Sequence, residues 1–123
     1  MTALEIQHRE NVAVAYARED IDAANAGQLR EQLTASLGPE QDALVLDLSE
    51  VRYLDSAGVD MLFRLSERLR QRRARLHVVI PAVSQLRRVA EIVALPQAVD
   101  VHDSLDEALR ACPRTRGTVE SDV

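Results

Sequence analysis

Short apolar runs along this chain, some alternating with polar residues, predict five β-strands. The first two runs are separated by a polar turn at residues 9–11, so they are expected to form a hairpin. The runs that begin at Leu44 and Leu76 are almost uninterrupted, which is typical of strands buried on both faces of a sheet. The predicted strands cover residues 4–8, 12–17, 44–48, 76–80 and 99–101.

Between the strands, apolar residues recur every three or four positions, a spacing that predicts amphipathic helices. The first helix is expected to begin just after Asp22, whose carboxylate can cap it, and to end at the Gly-Pro pair 38–39. The second is expected to run from about Ser56 to Arg72, with either Asp55 or Ser56 as its cap.

Two prolines and a capping motif mark the last two helices. Pro81 is suited to the first turn of the third helix, and Pro96 ends that helix. The segment Ser104-Leu105-Asp106-Glu107 has the spacing of a capping box and is expected to open the fourth helix.

Arginines recur at helical spacing on the outer side of the second helix. They form either a solvated face, with an Asp60–Arg64 ion pair, or a docking surface for an acidic partner. These arginines are Arg64, Arg68, Arg72 and Arg75.

The predicted order of elements is β-β-α-β-α-β-α-(β)-α. After the hairpin, strands alternate with helices, so we expect right-handed crossovers and a mixed, mostly parallel sheet with helices packed on its faces. The fold class is therefore α/β, with a single domain over residues 1–112. Residues 113–123 show no periodicity, and this tail is expected to be disordered.

Composition narrows the classes of function. The chain has 123 residues and a net charge of -5, which argues against binding of nucleic acid or of an anionic membrane. All 15 basic residues are arginines, and the absence of lysine excludes P-loop nucleotide binding and Schiff-base chemistry. No apolar run is long enough to cross a bilayer and no charged leader precedes an apolar signal segment. We therefore expect a cytoplasmic protein without membrane insertion.

The spacing of cysteine and histidine residues does not resemble that of a zinc site. Cys112 is the only cysteine, and its apolar neighbours predict a small core residue at a helix end. The carboxylates of Asp20, Asp22 and Asp55 could hold a weak Mg²⁺ if the fold gathers them at one sheet edge, but their spacing alone does not establish this. We predict no metal site and no cofactor.

The loop Asp55-Ser56-Ala57-Gly58 joins the central strand to the second helix. It brings a hydroxyl and a carboxylate to a helix N-terminus, where free N–H groups and the helix dipole favour negative charge. A purely structural interpretation is a helix cap followed by a glycine that eases close packing. A serine hydrolase fits poorly, because Leu54 stands where a nucleophile elbow needs a small residue. The residues favour an interaction module over an enzyme.

Three segments resemble the STAS domains of bacterial anti-sigma-factor antagonists. Residues 46–59, Leu-Asp-Leu-Ser-Glu-Val-Arg-Tyr-Leu-Asp-Ser-Ala-Gly-Val, are similar to the signature of that family. The segment Asp20-Ile21-Asp22 resembles the acidic step after its second strand, and Pro81-Ala82-Val83 resembles the start of its third helix. The resemblance extends from about Leu4 to Cys112.

The resemblance implies a partner switch in which Ser56 is the phosphoacceptor. In such proteins an ATP-dependent anti-sigma factor with serine kinase activity phosphorylates this serine, and a cognate phosphatase removes the phosphate. The unmodified form binds the anti-sigma factor and frees the sigma factor for transcription. ATP belongs to the kinase, so no cofactor is implied for this chain. The partner-binding surface that the resemblance implies consists of Asp20, Asp22, Asp55, Ala57, Gly58 and Asp60.

Several residues depart from the family pattern. Ala57 stands where a second Ser or Thr is common, and Asp60 replaces a frequent small residue, which adds negative charge that can alter partner choice. Glu19 replaces a glycine, and Arg73-Ala74 and Ala94 stand where turn glycines are expected. The resemblance also allows an alternative function, that of a STAS accessory subunit of an ABC-type lipid transporter.

Overall fold

In the computed structural model, which describes residues 4–112, five strands form a single sheet. They are β1 (Leu4–Arg9), β2 (Val12–Ala17), β3 (Ala43–Asp47), β4 (Arg75–Val79) and β5 (Asp100–His102), and they lie side by side in that order. β1 and β2 are antiparallel, and every later pair of neighbours is parallel. The predicted α/β fold with a mixed, mostly parallel sheet is confirmed. The predicted tail, residues 113–123, lies outside the described residues, and the domain boundary at residue 112 stays a prediction.

The helices of the described residues cover both faces of the sheet. They are α1 (Ala26–Ser36), α2 (Ser56–Gln71), α3 (Gln85–Ile92) and α4 (Leu105–Ala111), with a short 3-10 helix at Leu95–Gln97. α1, α2 and α3 pack on one face, and α4 packs on the other. α2 begins and ends where its apolar spacing predicts, with Arg72 as its C-terminal cap.

The core is aliphatic, which agrees with a sequence that contains two tyrosines, one phenylalanine and no tryptophan. Because side chains alternate along a strand, Leu44 and Leu46 of β3 point toward α1, α2 and α3, whereas Val45 points toward α4. All three side chains are fully buried. β3 is thus buried on both faces, which explains its nearly uninterrupted apolar run.

Asp22 is not the cap of the first helix, contrary to the prediction. α1 begins at Ala26, after Asn25. The Asp22 carboxylate accepts a hydrogen bond from the backbone N–H of Ala24 at 2.9 Å. The Asn25 side chain accepts one from the N–H of Asp22 at 3.0 Å and donates one to the carbonyl of Asp20 at 2.9 Å. These side chains satisfy the backbone in a turn, which competes with the helix and delays its start.

The third helix begins later than predicted, because Pro81 does not open it. Ser84 caps α3, its hydroxyl accepting a hydrogen bond from the N–H of Leu86 at 3.1 Å. Before the cap, the N–H of Ser84 donates to the carbonyl of Pro81 at 2.9 Å and closes a turn. A serine hydroxyl satisfies a free N–H of the first helical turn, whereas a proline at that turn only removes one. The two residues before Ser84 are left exposed.

The capping box of α4 and the environment of Cys112 agree with their predictions. The Ser104 hydroxyl accepts a hydrogen bond from the N–H of Glu107 at 3.2 Å, and the Glu107 carboxylate accepts one from the N–H of the residue before the cap at 3.3 Å. Cys112 is buried at the C-terminal end of α4. Burial, with the nearby carboxylates of Asp42 and Asp100, raises the pKa of its thiol to about 11. The thiol is therefore protonated and unreactive near neutral pH.

Arg73 and Ala94 adopt left-handed backbone conformations, with φ of 61° and 59°. These are positions where the family resemblance leads one to expect turn glycines. The N–H of Arg73 donates to the carbonyl of Arg70 at 2.9 Å, and the N–H of Ala94 donates to that of Glu91 at 3.1 Å. A left-handed residue other than glycine costs about 1–2 kcal/mol. These departures add local strain and leave the fold intact.

Candidate functional site

The loops after β2 and β3 are joined to each other by backbone hydrogen bonds. The N–H of Ile21 donates to the carbonyl of Tyr53 at 3.1 Å, and the N–H of Asp55 donates to the carbonyl of Ile21 at 3.2 Å. Ile21 and Leu54 therefore form an isolated parallel bridge beyond the ends of the strands. Because parallel neighbours end at the same sheet edge, the segment around residues 20–22 lies against the segment that precedes Ser56.

Asp55 is the cap of α2, which decides between the two candidates from the sequence. One carboxylate oxygen, Oδ1, accepts a hydrogen bond from the N–H of Gly58 at 3.0 Å. The other, Oδ2, accepts one from the N–H of Ala23 at 3.2 Å. The same side chain thus starts the helix and holds the neighbouring loop against it.

Ser56 is the first residue of α2, and its side chain is exposed. The N-terminus of a helix offers N–H groups without intrahelical partners and the positive end of the helix dipole. A negatively charged group on the Ser56 hydroxyl would be favoured by both features.

Gly58 is buried, and the space around it has no room for a side chain. An added Cβ would lie 2.9 Å from the carbonyl oxygen of Ile21, 3.0 Å from the Leu54 side chain and 3.2 Å from that of Ile21. The absence of a side chain at Gly58 therefore permits the loop after β2 to approach α2 closely. The φ angle of Gly58 is not positive, so its backbone conformation does not require glycine. This close packing is what the structural interpretation of the loop predicted.

The other predicted surface residues differ in what they contact. Asp20 is exposed, and its carboxylate accepts a hydrogen bond from the N–H of Arg52 at 3.2 Å. Asp22 is half-buried in the turn described above. Ala57 and Asp60 border a shallow depression of about 320 Å³ between α1 and α2. The structure thus brings the predicted site residues to one edge of the sheet, with Gly58 beneath the surface.

The four arginines predicted to lie on the outer side of the second helix do not share one role. Arg64 forms the expected ion pair with Asp60, with Nε and Oδ2 at 2.6 Å. Arg72 donates to the carbonyls of Leu37 and Gly38, at 3.3 and 2.9 Å, and so satisfies the end of α1. Arg64 and Arg68 are exposed, as a solvated face predicts. Arg75, contrary to the prediction, lies on β4 and not on the second helix, and it pairs with Asp100 at 3.1 Å.

The histidines lie away from Ser56. His8 is at the end of β1 and bonds the carbonyl of Ser36 at 2.7 Å. His77 and His102 are stacked on the face covered by α4, with Nδ1 of His77 3.1 Å from Nε2 of His102. In the part of the chain that the structure describes, no three His, Cys, Asp or Glu residues are grouped as a metal site. The hydrogen bonds given for these histidines are made to Ser36 and between His77 and His102, and not to Ser56.

Sequence reasoning missed two features of this edge. The first is Asn25, whose preference for helix caps was a usable signal. The second is the exposure of Tyr53, of which 55% of the surface is accessible. The Tyr53 carbonyl takes part in the bridge between the two loops, a contact that no local pattern reveals.

Comparison with known proteins identifies the family of this chain. The STAS domain family model matches residues 3–108. The chain is 30% identical over 100 residues to the anti-sigma-B factor antagonists of Listeria monocytogenes and Listeria innocua, across 80% of this chain and 87% of each relative. This chain belongs to the STAS-domain family of anti-sigma factor antagonists. The crystal structure of an anti-sigma factor antagonist from Mycobacterium paratuberculosis superposes with a TM-score of 0.78 at 27% identity, covering 90% of this chain and 93% of that one.

Membership of this family bears on one further expectation. Anti-sigma factor antagonists are regulators and not enzymes, so the prediction of an interaction module is confirmed. None of the helices within residues 4–112 has the length and apolar character needed to cross a bilayer.

Proposed function

We propose that this chain is an anti-sigma factor antagonist whose unphosphorylated form binds an anti-sigma factor, and that phosphorylation of Ser56 ends that binding. The observation that carries the proposal is the exposed hydroxyl of Ser56 at the first position of α2. Asp55 and Gly58 hold the backbone on both sides of this serine in a fixed position. A kinase therefore meets a preformed acceptor.

A phosphate on Ser56 acts on the partner and leaves the fold intact. It adds a charge of about -1.5 to -2 at pH 7. The helix N-terminus stabilises that charge within the domain. At a contact surface, burying the phosphate without a compensating cation costs several kcal/mol, so affinity falls by roughly a hundredfold to a thousandfold. Asp55 and Asp60 add negative charge near the same place.

The proposed partners are an anti-sigma factor with serine kinase activity and a cognate phosphatase. ATP binds to the kinase, and the chain itself needs no cofactor. Binding of the unmodified chain releases a sigma factor, so the cycle takes place in the cytoplasm and regulates sigma-factor-dependent transcription.

Capture of partners from the cytoplasm of the source bacterium tests the proposal. Tagged wild type and the variants Ser56→Ala and Ser49→Ala are used as bait, and mass spectrometry identifies the bound proteins before and after addition of ATP. Ser49→Ala is the matched control, because Ser49 is an exposed serine of the same loop.

We expect all three baits to capture an anti-sigma factor. After ATP, wild type and Ser49→Ala should carry phosphate on Ser56 and be released, whereas Ser56→Ala should stay bound. Equal binding by phosphorylated and bare protein, or modification of Ser56→Ala as readily as wild type, would refute the switch. Capture of an ABC transporter ATPase in place of an anti-sigma factor would favour the transporter subunit.

A further inference from the structure

Large apolar side chains are exposed at a few places on residues 4–112. Val83 has 96% of its surface accessible, Ile92 has 73% and Tyr53 has 55%. Exposed apolar side chains next to a functional residue are typical of a protein-binding surface. The position of each of these three relative to Ser56 therefore matters.

Tyr53 and Val83 lie at the sheet edge that carries Ser56. Tyr53 is in the loop after β3, and Val83 is in the loop after β4, the parallel neighbour of β3. The N–H of Leu48 donates to the carbonyl of Val79 at 3.0 Å, which joins the two loops where they begin. Ile92, by contrast, is the last residue of α3, which leads away from this edge.

Hydrogen bonds hold the backbone in place at Tyr53 and near Val83. The carbonyl of Tyr53 accepts the hydrogen bond from Ile21 in the bridge between the loops. Val83 lies inside the turn from Pro81 to Ser84, and the Arg87 side chain donates to the carbonyl of Ile80 beside it at 2.8 Å. An anchor on fixed backbone loses little conformational entropy when it is bound.

The loops after β2 and β3, which lie against each other beside Ser56, are acidic. The segments 18–25 and 48–55 together contain five carboxylates and two arginines, a net charge of -3. A partner surface that complements them presents basic residues between apolar pockets. A contact patch of ordinary size, about 800 Å² on each partner, is large enough to include the loops after β2 and β3.

We propose that Tyr53 and Val83 are apolar anchors for the anti-sigma factor. The anti-sigma factor receives them in apolar pockets that are flanked by basic residues. This inference rests on the proposed function. It assigns part of the binding affinity to side chains that are not modified, and it leaves Ser56 as the position at which binding is switched.

The test measures the Kd for the anti-sigma factor captured by wild type. Tyr53→Ala is expected to weaken binding by at least about tenfold, since truncated aromatic anchors often have effects of that size. Val83→Ala should weaken it severalfold, and Tyr53→Phe should keep most of the affinity. Ile92→Ala is the matched control and should bind like wild type. Because all three side chains are exposed, the thermal midpoints of the variants should stay close to that of wild type.

Different outcomes separate the two proposals. If wild type binds the anti-sigma factor while Tyr53→Ala and Val83→Ala bind equally well, the anchors are refuted and the proposed function stands. An equal loss for Ile92→Ala also refutes them, because the contact would then not be specific to this edge. If wild type captures no anti-sigma factor, both the proposed function and the proposed anchors are refuted.

Discussion

Gly58 lies so close to Ile21 that a Cβ on the glycine would be 2.9 Å from the Ile21 carbonyl oxygen. The same oxygen accepts the hydrogen bond from the N–H of Asp55. Gly58→Ala therefore pushes the loop after β2 away from α2, at an expected loss of about 1–3 kcal/mol in the free energy of unfolding. Denaturant unfolding measures this loss.

Gly27→Ala is the control for that substitution. Gly27 lies on α1, and an added Cβ there would meet nothing within 4 Å. Alanine is the better helix former, so this variant should gain up to about 1 kcal/mol. A Gly58→Ala protein as stable as wild type would contradict the close contact.

Asp55→Ala removes the acceptors for both Gly58 and Ala23. The loss of a helix cap costs about 0.5–2 kcal/mol, and we expect the upper part of that range because a second loop is released as well. Asp60→Ala is a suitable control, since within residues 4–112 Asp60 forms an exposed ion pair with Arg64, and such pairs contribute little. If the two variants lose equal stability in urea, the proposed double role of Asp55 is wrong.

Leu46→Ala tests the central position of β3. Leu46 is fully buried between its neighbours Ala15 and Val78 on the adjacent strands. The cavity should cost about 2–5 kcal/mol. Ile92→Ala at the surface should change the free energy of unfolding by no more than about 0.5 kcal/mol. A loss below about 1 kcal/mol for Leu46→Ala would be inconsistent with the burial of β3.

His77 should make the stability of the domain depend on pH. Burial lowers its pKa, Asp100 opposes that shift, and His102 and Arg75 add to it. The unfolded chain takes up a proton at this histidine near pH 6.5, about its ordinary pKa, whereas the folded chain does so only at lower pH. The stabilising contribution is therefore present above about pH 6.5 and is lost as the pH falls below it.

Unfolding free energies measured between about pH 7.5 and 5.5 check this dependence. His77→Phe should flatten the decline toward low pH, because it removes the buried titrating ring. His8→Gln is the control, since His8 is exposed at the end of β1. An unchanged slope in His77→Phe would assign the decline to other groups.

Local signals predicted the elements of this fold more accurately than the contacts between its loops. The start of α2 was predictable because Asp55 and Ser56 are both good caps before a strong apolar repeat. The start of α3 was misplaced because Pro81 and Ser84 are both plausible first residues, and only the turn between them decides. The motif predicted that Asp20 and Asp22 lie near Ser56.

What the motif did not predict is how these loops are joined. Asp22 was expected to cap α1, because the competing hydrogen bonds of Asn25 cannot be inferred from helical spacing. Gly58 was expected to ease packing, but the sequence does not identify Ile21 as the neighbour it must approach. Contacts of this kind depend on which strands become parallel neighbours, and that is a property of the whole sheet.

The unequal covering of the sheet has a kinetic consequence. Three helices protect one face, whereas in the described residues α4, with seven residues, is the helix on the other. A short helix of this kind is expected to detach and return more often than the whole domain unfolds. Cys112, buried where α4 ends, is the only cysteine of the chain. Its rate of alkylation under native conditions therefore reports how often this face of the sheet opens.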